Sequence, residues 1–402
     1  MLWGVSTIGC MDPDLSRLDT HLDTLGVDGY LLDADSSDAT QRYLSGFDAP
    51  DPFMTCYTPN ELSVLVSGLE FGRAKTESRA GRIRRSVAYD KRELVDAYGR
   101  TEATHRINAA FLADCGVERV AIPERFPVGT ADGLREQGVE VVVDTDDVLL
   151  DIRAVKTPTE LNHIRTTQHA NEAAMAAAER VIRQAGVNGD GRLTLGGEIL
   201  TSERVKQAIE ITLLKHGCGL DDTIVACGQQ AADPHNRGSG PLVANEPIII
   251  DIFPRNKSTG YHSDMTRTFC KGEPSETLAE WYELTEQALA AALDAVEPGN
   301  TGADVHTAAC AVYENAGLPT FRTDPETEVG FIHSTGHGVG LAVHERPSLS
   351  TQGGDLVAGQ VITVEPGLYD PAVGGVRIED IVFVTDDGYE NITAYPIELV
   401  VD

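Results

Sequence analysis

The 402-residue chain sets 32 Lys+Arg against 63 Asp+Glu, a formal net charge of −31, with 41% hydrophobic and 24% charged residues. That length predicts two domains with cores of their own, and the composition excludes a disordered or fibrous chain. No apolar run approaches the ~20 residues that span a bilayer, and the acidity repels phosphate backbones, so neither a membrane nor nucleic acid is an expected partner.

The acidity has a texture. Lys75, Lys91, Lys156, Lys206, Lys215, Lys257 and Lys271 are all the lysines, so most positive charge is arginine. One reading is a charge that only aids solubility. The other is adaptation to high salt, where a Debye length of about 3 Å screens carboxylates from one another. That second reading predicts loss of structure in dilute buffer. Cys10, Cys56, Cys115, Cys218, Cys227, Cys270 and Cys310 are an odd number, scattered, with no C-x-x-C. They fit reduced thiols in a cytoplasm better than a disulfide framework or a zinc knuckle. The opening MLWGVSTIGC lacks a basic n-region and is no signal peptide. Translation starts at Met1, with those residues as a packed arm, or at Met11.

In chain order, Leu15, Leu18, Leu22 and Leu25 recur at helical spacing, and DGYLLDAD (28–35) reads as a buried strand. LSVLVSG (62–68), ERVAIP (118–123) and VEVVVD (139–144) read as further strands, with helices at about 104–115 and 130–137. This predicts an α/β domain on its own sheet, without a glycine-rich phosphate loop. Thr157, Pro158 and Glu160 form a helix start, a cap, a proline at the first position and a capping box. A long helix then runs to about 184, which places the junction near 153 and divides the chain into domains 1–153 and 154–402. Further helices are expected at about 200–217, 275–296 and 301–316, interleaved with strands such as EPIIIDIF (246–253).

The chemistry gathers in the last third. Asp251 closes the apolar run PIIIDIF, where a carboxylate is costly unless neutralised. Asp264, in GYHSDMTRTF (260–269), follows at a gap that suits a hairpin setting two carboxylates side by side. Alone, that pair is a weak signal and reads more readily as a turn-capping pair than as a metal site. FIHSTGHGVGLAVHE (331–345) carries His333, His337 and His344 among glycines. Each histidine alone could be a satisfied core residue, but three so close point to a site. The segment is not HExxH. Glu365 ends a β-branched run in VITVEPGLYD (361–370), and Glu379 falls inside the apolar GVRIEDIVFV (375–384). Four carboxylates and an imidazole are a hard-oxygen set with some nitrogen, suited to a pair of divalent ions such as Mn, Co, Fe or Zn.

The strings DIFP, GYHSDMTRTF, GHGVGL with its following HE, VEPG and RIED resemble the M24 metallopeptidases of the pita-bread fold. Within that family the likeness is to Xaa-Pro dipeptidases and Xaa-Pro aminopeptidases. It covers about 155–398, and the first 150 residues resemble the creatinase-type N-terminal domain by layout. The fold class implied is α/β (α+β), with a pita-bread catalytic domain after the N-terminal one. The resemblance implies that Asp251 chelates one of two metal ions, that Asp264 and Glu379 bridge both, and that His337 and Glu365 complete the second. A bridging hydroxide would attack the carbonyl before proline, with His344 stabilising the oxyanion and Glu365 moving the proton. His235 would contact substrate, unless it is a plain loop histidine, and His333 would contact substrate or support the site. Arg377 and Thr266 would hydrogen-bond the metal carboxylates, though a cross-strand salt bridge would place Arg377 similarly. The stretch between Asp251 and Asp264, with Pro254 and Arg255, is longer than in many members and predicts a longer loop near the substrate rim. The expected partners are peptides with proline at the second position and a second copy of the chain in a homodimer. A creatinase-like C–N hydrolase and a non-catalytic pita-bread binding protein are the alternatives.

Overall fold

The computed structural model describes residues 13–402, so the readings placed on the first ten residues and on Cys10 lie outside the described residues. One compact unit ends at Arg153 and the other begins at Ala154.

The N-terminal unit is built on a six-stranded mixed sheet, in spatial order Arg82–Arg85, Glu61–Val66, Phe53–Thr58, Gly29–Ala34, Arg119–Pro123 and Glu140–Asp144. The inner pairs around Phe53–Thr58 are antiparallel, and the outer pairs are parallel. Helices Arg100–Asp114 and Val128–Glu136 cover it, with Leu31, Phe111, Leu112, Val120 and Leu134 wholly buried in the core between. Two strands escape the sequence pattern. Arg82–Arg85 is an edge strand of sequence RIRR, where charge is tolerated because one side faces no neighbour. Its Arg82 meets Glu61 on the adjoining strand at 2.6 Å. Phe53–Thr58 is a central strand buried almost throughout, hidden in the sequence because its run FMTCYT follows a Pro-rich turn and mixes threonines with its apolar residues.

The C-terminal unit opens with the helix Pro158–Arg183. Thr157 Oγ1 accepts from the Glu160 amide and Glu160 Oε2 from the Thr157 amide at 2.8 Å, the capping box read from the sequence. This helix and Ser202–Lys215 bury Ala174, Met175, Ile182, Val205, Ile209 and Leu213 against the sheet Thr223–Cys227, Pro247–Ile252, Met265–Cys270. A second helix pair, Glu276–Asp294 and Gly302–Asn315, packs Trp281, Leu289, Val305 and Tyr313 with residues of the strands Val361–Val364 and Asp380–Thr385. Those strands belong to a five-stranded sheet ordered Glu345–Leu349, Gly336–Gly338, Val361–Val364, Asp380–Thr385, Gly388–Asn391.

One expectation is refined and one corrected. The hairpin loop between Asp251 and Asp264 touches the cleft as expected, but it is not loose. Arg255–Asn256 pairs antiparallel with Cys218–Gly219, and Arg255 bridges to His262, so backbone pairing ties the extra length down. Phe253 reaches the cleft, while Pro254 and Arg255 do not line it. Glu379 is not inside a strand either. It falls in the break between Gly374–Arg377 and Asp380–Thr385, where its amide donates to the Thr266 carbonyl at 3.1 Å.

Candidate metal centre and active-site cleft

A cavity of about 880 Å³ in the C-terminal unit collects Asp251, Asp264, His337, Glu365 and Glu379 on its floor, with His235, His333, His344 and Arg377 also in its wall. All nine residues expected in the site therefore line one cleft. Of the four carboxylates only Asp251 is within a strand; Asp264, Glu365 and Glu379 flank strand ends, where the ladder stops and a side chain is released toward the cleft. The register sets Asp251 opposite Thr266 on the antiparallel neighbour, which brings Asp264 just past the end of that pairing.

His337 reaches the floor because its strand packs unusually close. A Cβ on Gly336 would lie 2.0 Å from the Thr363 carbonyl oxygen, and one on Gly338 2.0 Å from that of Arg346. The Gly338 carbonyl takes the His337 Nδ1 proton at 3.1 Å, leaving Nε2 at 3.4 Å from Glu365 Oε1 and 3.8 Å from Asp264 Oδ2. Burial pushes the His337 pKa down and keeps the ring neutral, the form that ligates metal.

The carboxylates crowd. Asp264 is 4% exposed and Glu379 1%. Burial first, then the neighbouring carboxylates, raises both well above the ordinary range. Burial also pushes Glu365 up to about 7, against the pull of Arg377. Asp251 Oδ1, Asp264 Oδ1 and Glu379 Oε1 are buried with no hydrogen-bond partner. Ligand atoms of Asp264, His337 and Glu379 lie within 4.8 Å of one another. Orphaned anionic oxygens around a neutral imidazole are the donor set of a divalent cation, and the residues present fit one.

Beneath the floor, Arg377 Nη2 donates to Asp251 Oδ2 at 2.6 Å, and its Nε donates to Thr266 Oγ1 at 3.2 Å. Thr266 in turn donates to Glu379 Oε2 at 2.8 Å. Three supporting residues were missed in the sequence. The Tyr369 hydroxyl accepts from Arg377 Nη1 at 2.9 Å and meets His333 Nε2 at 3.0 Å, coupling the two. Thr363 accepts from the His337 amide and donates to Glu365. Arg267, 1% exposed, donates through Nη1 to the Glu379 carbonyl at 2.6 Å and pairs with Asp380 at 2.8 Å. An arginine inside the apolar stretch MTRTFC was the signal that could have found it. At the rim, His344 and His235 are exposed, and the His344 ring stacks edge-on to His337 at 4.3 Å between centroids.

The donor set and the cleft are those of a divalent-metal site. Residues 162–386 match the metallopeptidase family M24, and residues 15–155 match the creatinase/prolidase N-terminal domain. The chain belongs to metallopeptidase family M24. It is 34% identical to a probable dipeptidase PepE of Mycobacterium tuberculosis over 70% of this chain and 68% of that one. It is 27% identical to an Xaa-Pro dipeptidase of Pyrococcus horikoshii over 97% of this chain and 99% of that one. The crystal structure of the Pyrococcus horikoshii prolidase superposes with a TM-score of 0.78 at 26% identity, covering 96% of this chain and 99% of that one. The X-Pro aminopeptidase of Thermotoga maritima does so with a TM-score of 0.77 at 26% identity, covering 95% and 100%.

Proposed function

We propose that this metallopeptidase hydrolyses the peptide bond preceding proline, in Xaa-Pro dipeptides or at peptide N-termini of that form. The observation that carries the reading is the convergence of Asp251, Asp264, His337, Glu365 and Glu379 on one cleft with three carboxylate oxygens left unpartnered. Relatives named for Xaa-Pro dipeptides and for an X-Pro aminopeptidase support the substrate class. Asp251, Asp264, His337, Glu365 and Glu379 would hold two divalent ions drawn from Mn, Co, Fe or Zn. Bound there, such ions supply Lewis acidity at the scissile carbonyl and a nucleophilic water at neutral pH.

The chain's own groups do the rest. Glu365 takes the proton of the attacking water and delivers it to the proline nitrogen as the bond breaks. His344, exposed beside His337, donates to the oxygen on which negative charge develops. His235 contacts the substrate from the opposite loop. His333, tied to Tyr369 and through it to Arg377, orients both against the substrate side of the floor. The finer readings are a creatinase-type domain 1–153 before a catalytic domain 154–402, a cytoplasmic homodimer, and a surface suited to high salt. The division of the chain at Arg153/Ala154 supports the first, and the free state of the six described cysteines supports the cytoplasmic part of the second.

The test offers metal-reconstituted protein, in high salt, an Xaa-Pro dipeptide and separately an Xaa-Pro-Yaa tripeptide, with EDTA-treated controls. Cleavage of the dipeptide alone marks a dipeptidase. Efficient cleavage of the tripeptide marks an aminopeptidase. If neither is cut with Mn or Co supplied, the proline reading falls and a creatinase-like C–N substrate or a binding role takes its place.

A further inference from the structure

In a chain with so few lysines, one is spent in the interior. Lys156 is 7% exposed, and its Nζ lies 2.9 Å from Glu345 Oε2, 189 residues away in sequence. The two side chains are 1% and 4% exposed. A buried ion pair is a poor device for raising stability, since desolvation cancels much of the attraction, so its geometry invites a functional reason. Glu345 follows His344 directly. Its Oε1 accepts from the Ala342 amide at 3.0 Å, and the Gly340 amide donates to the Ala342 carbonyl at 3.0 Å. The turn 340–345 that presents His344 is thus closed onto the Glu345 carboxylate, and that carboxylate is pinned by Lys156.

The neighbours of Lys156 act on the other walls of the same cleft. Its own amide donates to the Gly359 carbonyl at 2.7 Å, and Val155 bridges to Gln360, at the start of the strand that ends on Glu365. Four residues on, buried Glu160 accepts from the Tyr261 hydroxyl at 2.7 Å, holding the approach to Asp264. The first residues of the C-terminal unit therefore grip three segments that carry site residues. His344 is exposed, with its ring edge-on to His337, so its placement depends also on the turn beneath.

We propose that Lys156 is a positioning residue for His344, acting through the Glu345 carboxylate to hold the 340–345 turn in the geometry that stabilises the transition state. The inference deepens the proline-peptidase reading and rests on it for its kinetic readout. A lost placement of an oxyanion donor by about 1 Å lowers turnover by up to 100-fold without removing the metal.

The test is a double-mutant cycle on the metal-loaded full chain: wild type, K156M, H344A and K156M/H344A, with kcat, KM and metal content for each. The expected result is a fall in kcat of about tenfold or more in K156M, metal content and KM held, and no further fall when K156M is added to H344A. Equal losses in both backgrounds, or a loss of metal in K156M, would overturn the proposal. Because K156M removes the Lys156 ammonium from beside the Glu345 carboxylate, K156M/E345Q serves as the companion, keeping an acceptor for the Ala342 amide with no charge at position 345. Hydrogen exchange gives a reading independent of turnover: amides of the 340–346 segment should exchange faster in both variants, with the 361–365 strand protected as before. Unchanged protection of 340–346 sinks the inference even if no Xaa-Pro substrate is ever cut. A wild type that cuts none, with exchange in 340–346 quickened as expected, would break the function reading alone.

Discussion

The floor and the rim of the cleft are built by opposite means. The floor residues Asp264 and Glu379 are at most 4% exposed, and Arg377, Thr266 and Arg267 hold Asp251 and Glu379 in a continuous hydrogen-bond network. The rim histidines His235 and His344 are exposed and ride on turns. Groups that must hold a fixed charge are buried among sheets, where low dielectric strengthens each contact and each unpaired atom is costly. Groups that meet substrate stay at the surface, positioned by the backbone under them. The contrast implies that variants of the Arg377, Thr266 and Arg267 network lose metal and fold together, while rim variants lose rate alone.

Changes at the catalytic carboxylate sharpen the comparison most. Glu365→Gln should abolish measurable turnover while circular dichroism stays native, and near-normal activity would remove Glu365 from its acid/base role. Arg377→Met strikes the floor: it leaves Asp251 and its neighbours without their buried cation and is expected to destabilise the fold by about 3–5 kcal/mol. Denaturant titration reads the stability, and metal analysis should show affinity weakened roughly 10–100-fold. At the rim, His344→Ala should lower kcat by about 10²–10³ with a full complement of metal. Loss of a metal ion in that variant would place His344 on the floor and break the distinction.

Two smaller effects concern the medium. With a net charge of −31, the chain should lose melting temperature as salt is lowered from molar to dilute, and a Tm independent of salt would leave the acidity as a solubility feature. Burial first, and then Arg377, pushes the His333 pKa down to about 3, while in an unfolded chain it is about 6.5. The unfolded chain therefore takes the proton first as pH falls. Stability from this group is present above about pH 6.5 and is lost as pH drops toward 3. His333→Asn should make the acid side of the stability profile shallower, and an unchanged slope would mean that the ring is already charged in the fold.

Much of this was legible because it is local. The capping box at Thr157 and Glu160, the helices from 158, 202, 276 and 302, and the strand around Asp251 are written in spacing and end signals of a few residues each. Carboxylates in apolar runs stood out for the same reason, since their cost has to be met somewhere. The edge strand Arg82–Arg85 and the break at Glu379 were illegible because their conformation answers to partners far along the chain. Tyr369 carried no signal, as a tyrosine in a strand looks like core until its hydroxyl is seen between His333 and Arg377.

The sequence by itself determined the long helices, the strands written as apolar runs, and the residue types that the site would draw on, because periodicity, capping and the cost of a buried charge are short-range physics. The tertiary structure alone decided which of those groups meet. It set Arg377 beneath Asp251, returned Glu379 to the Thr266 backbone, and buried Lys156 against Glu345. Hydrogen bonds and ion pairs are selective only over a few ångströms, and those distances exist only after strands remote in sequence have paired.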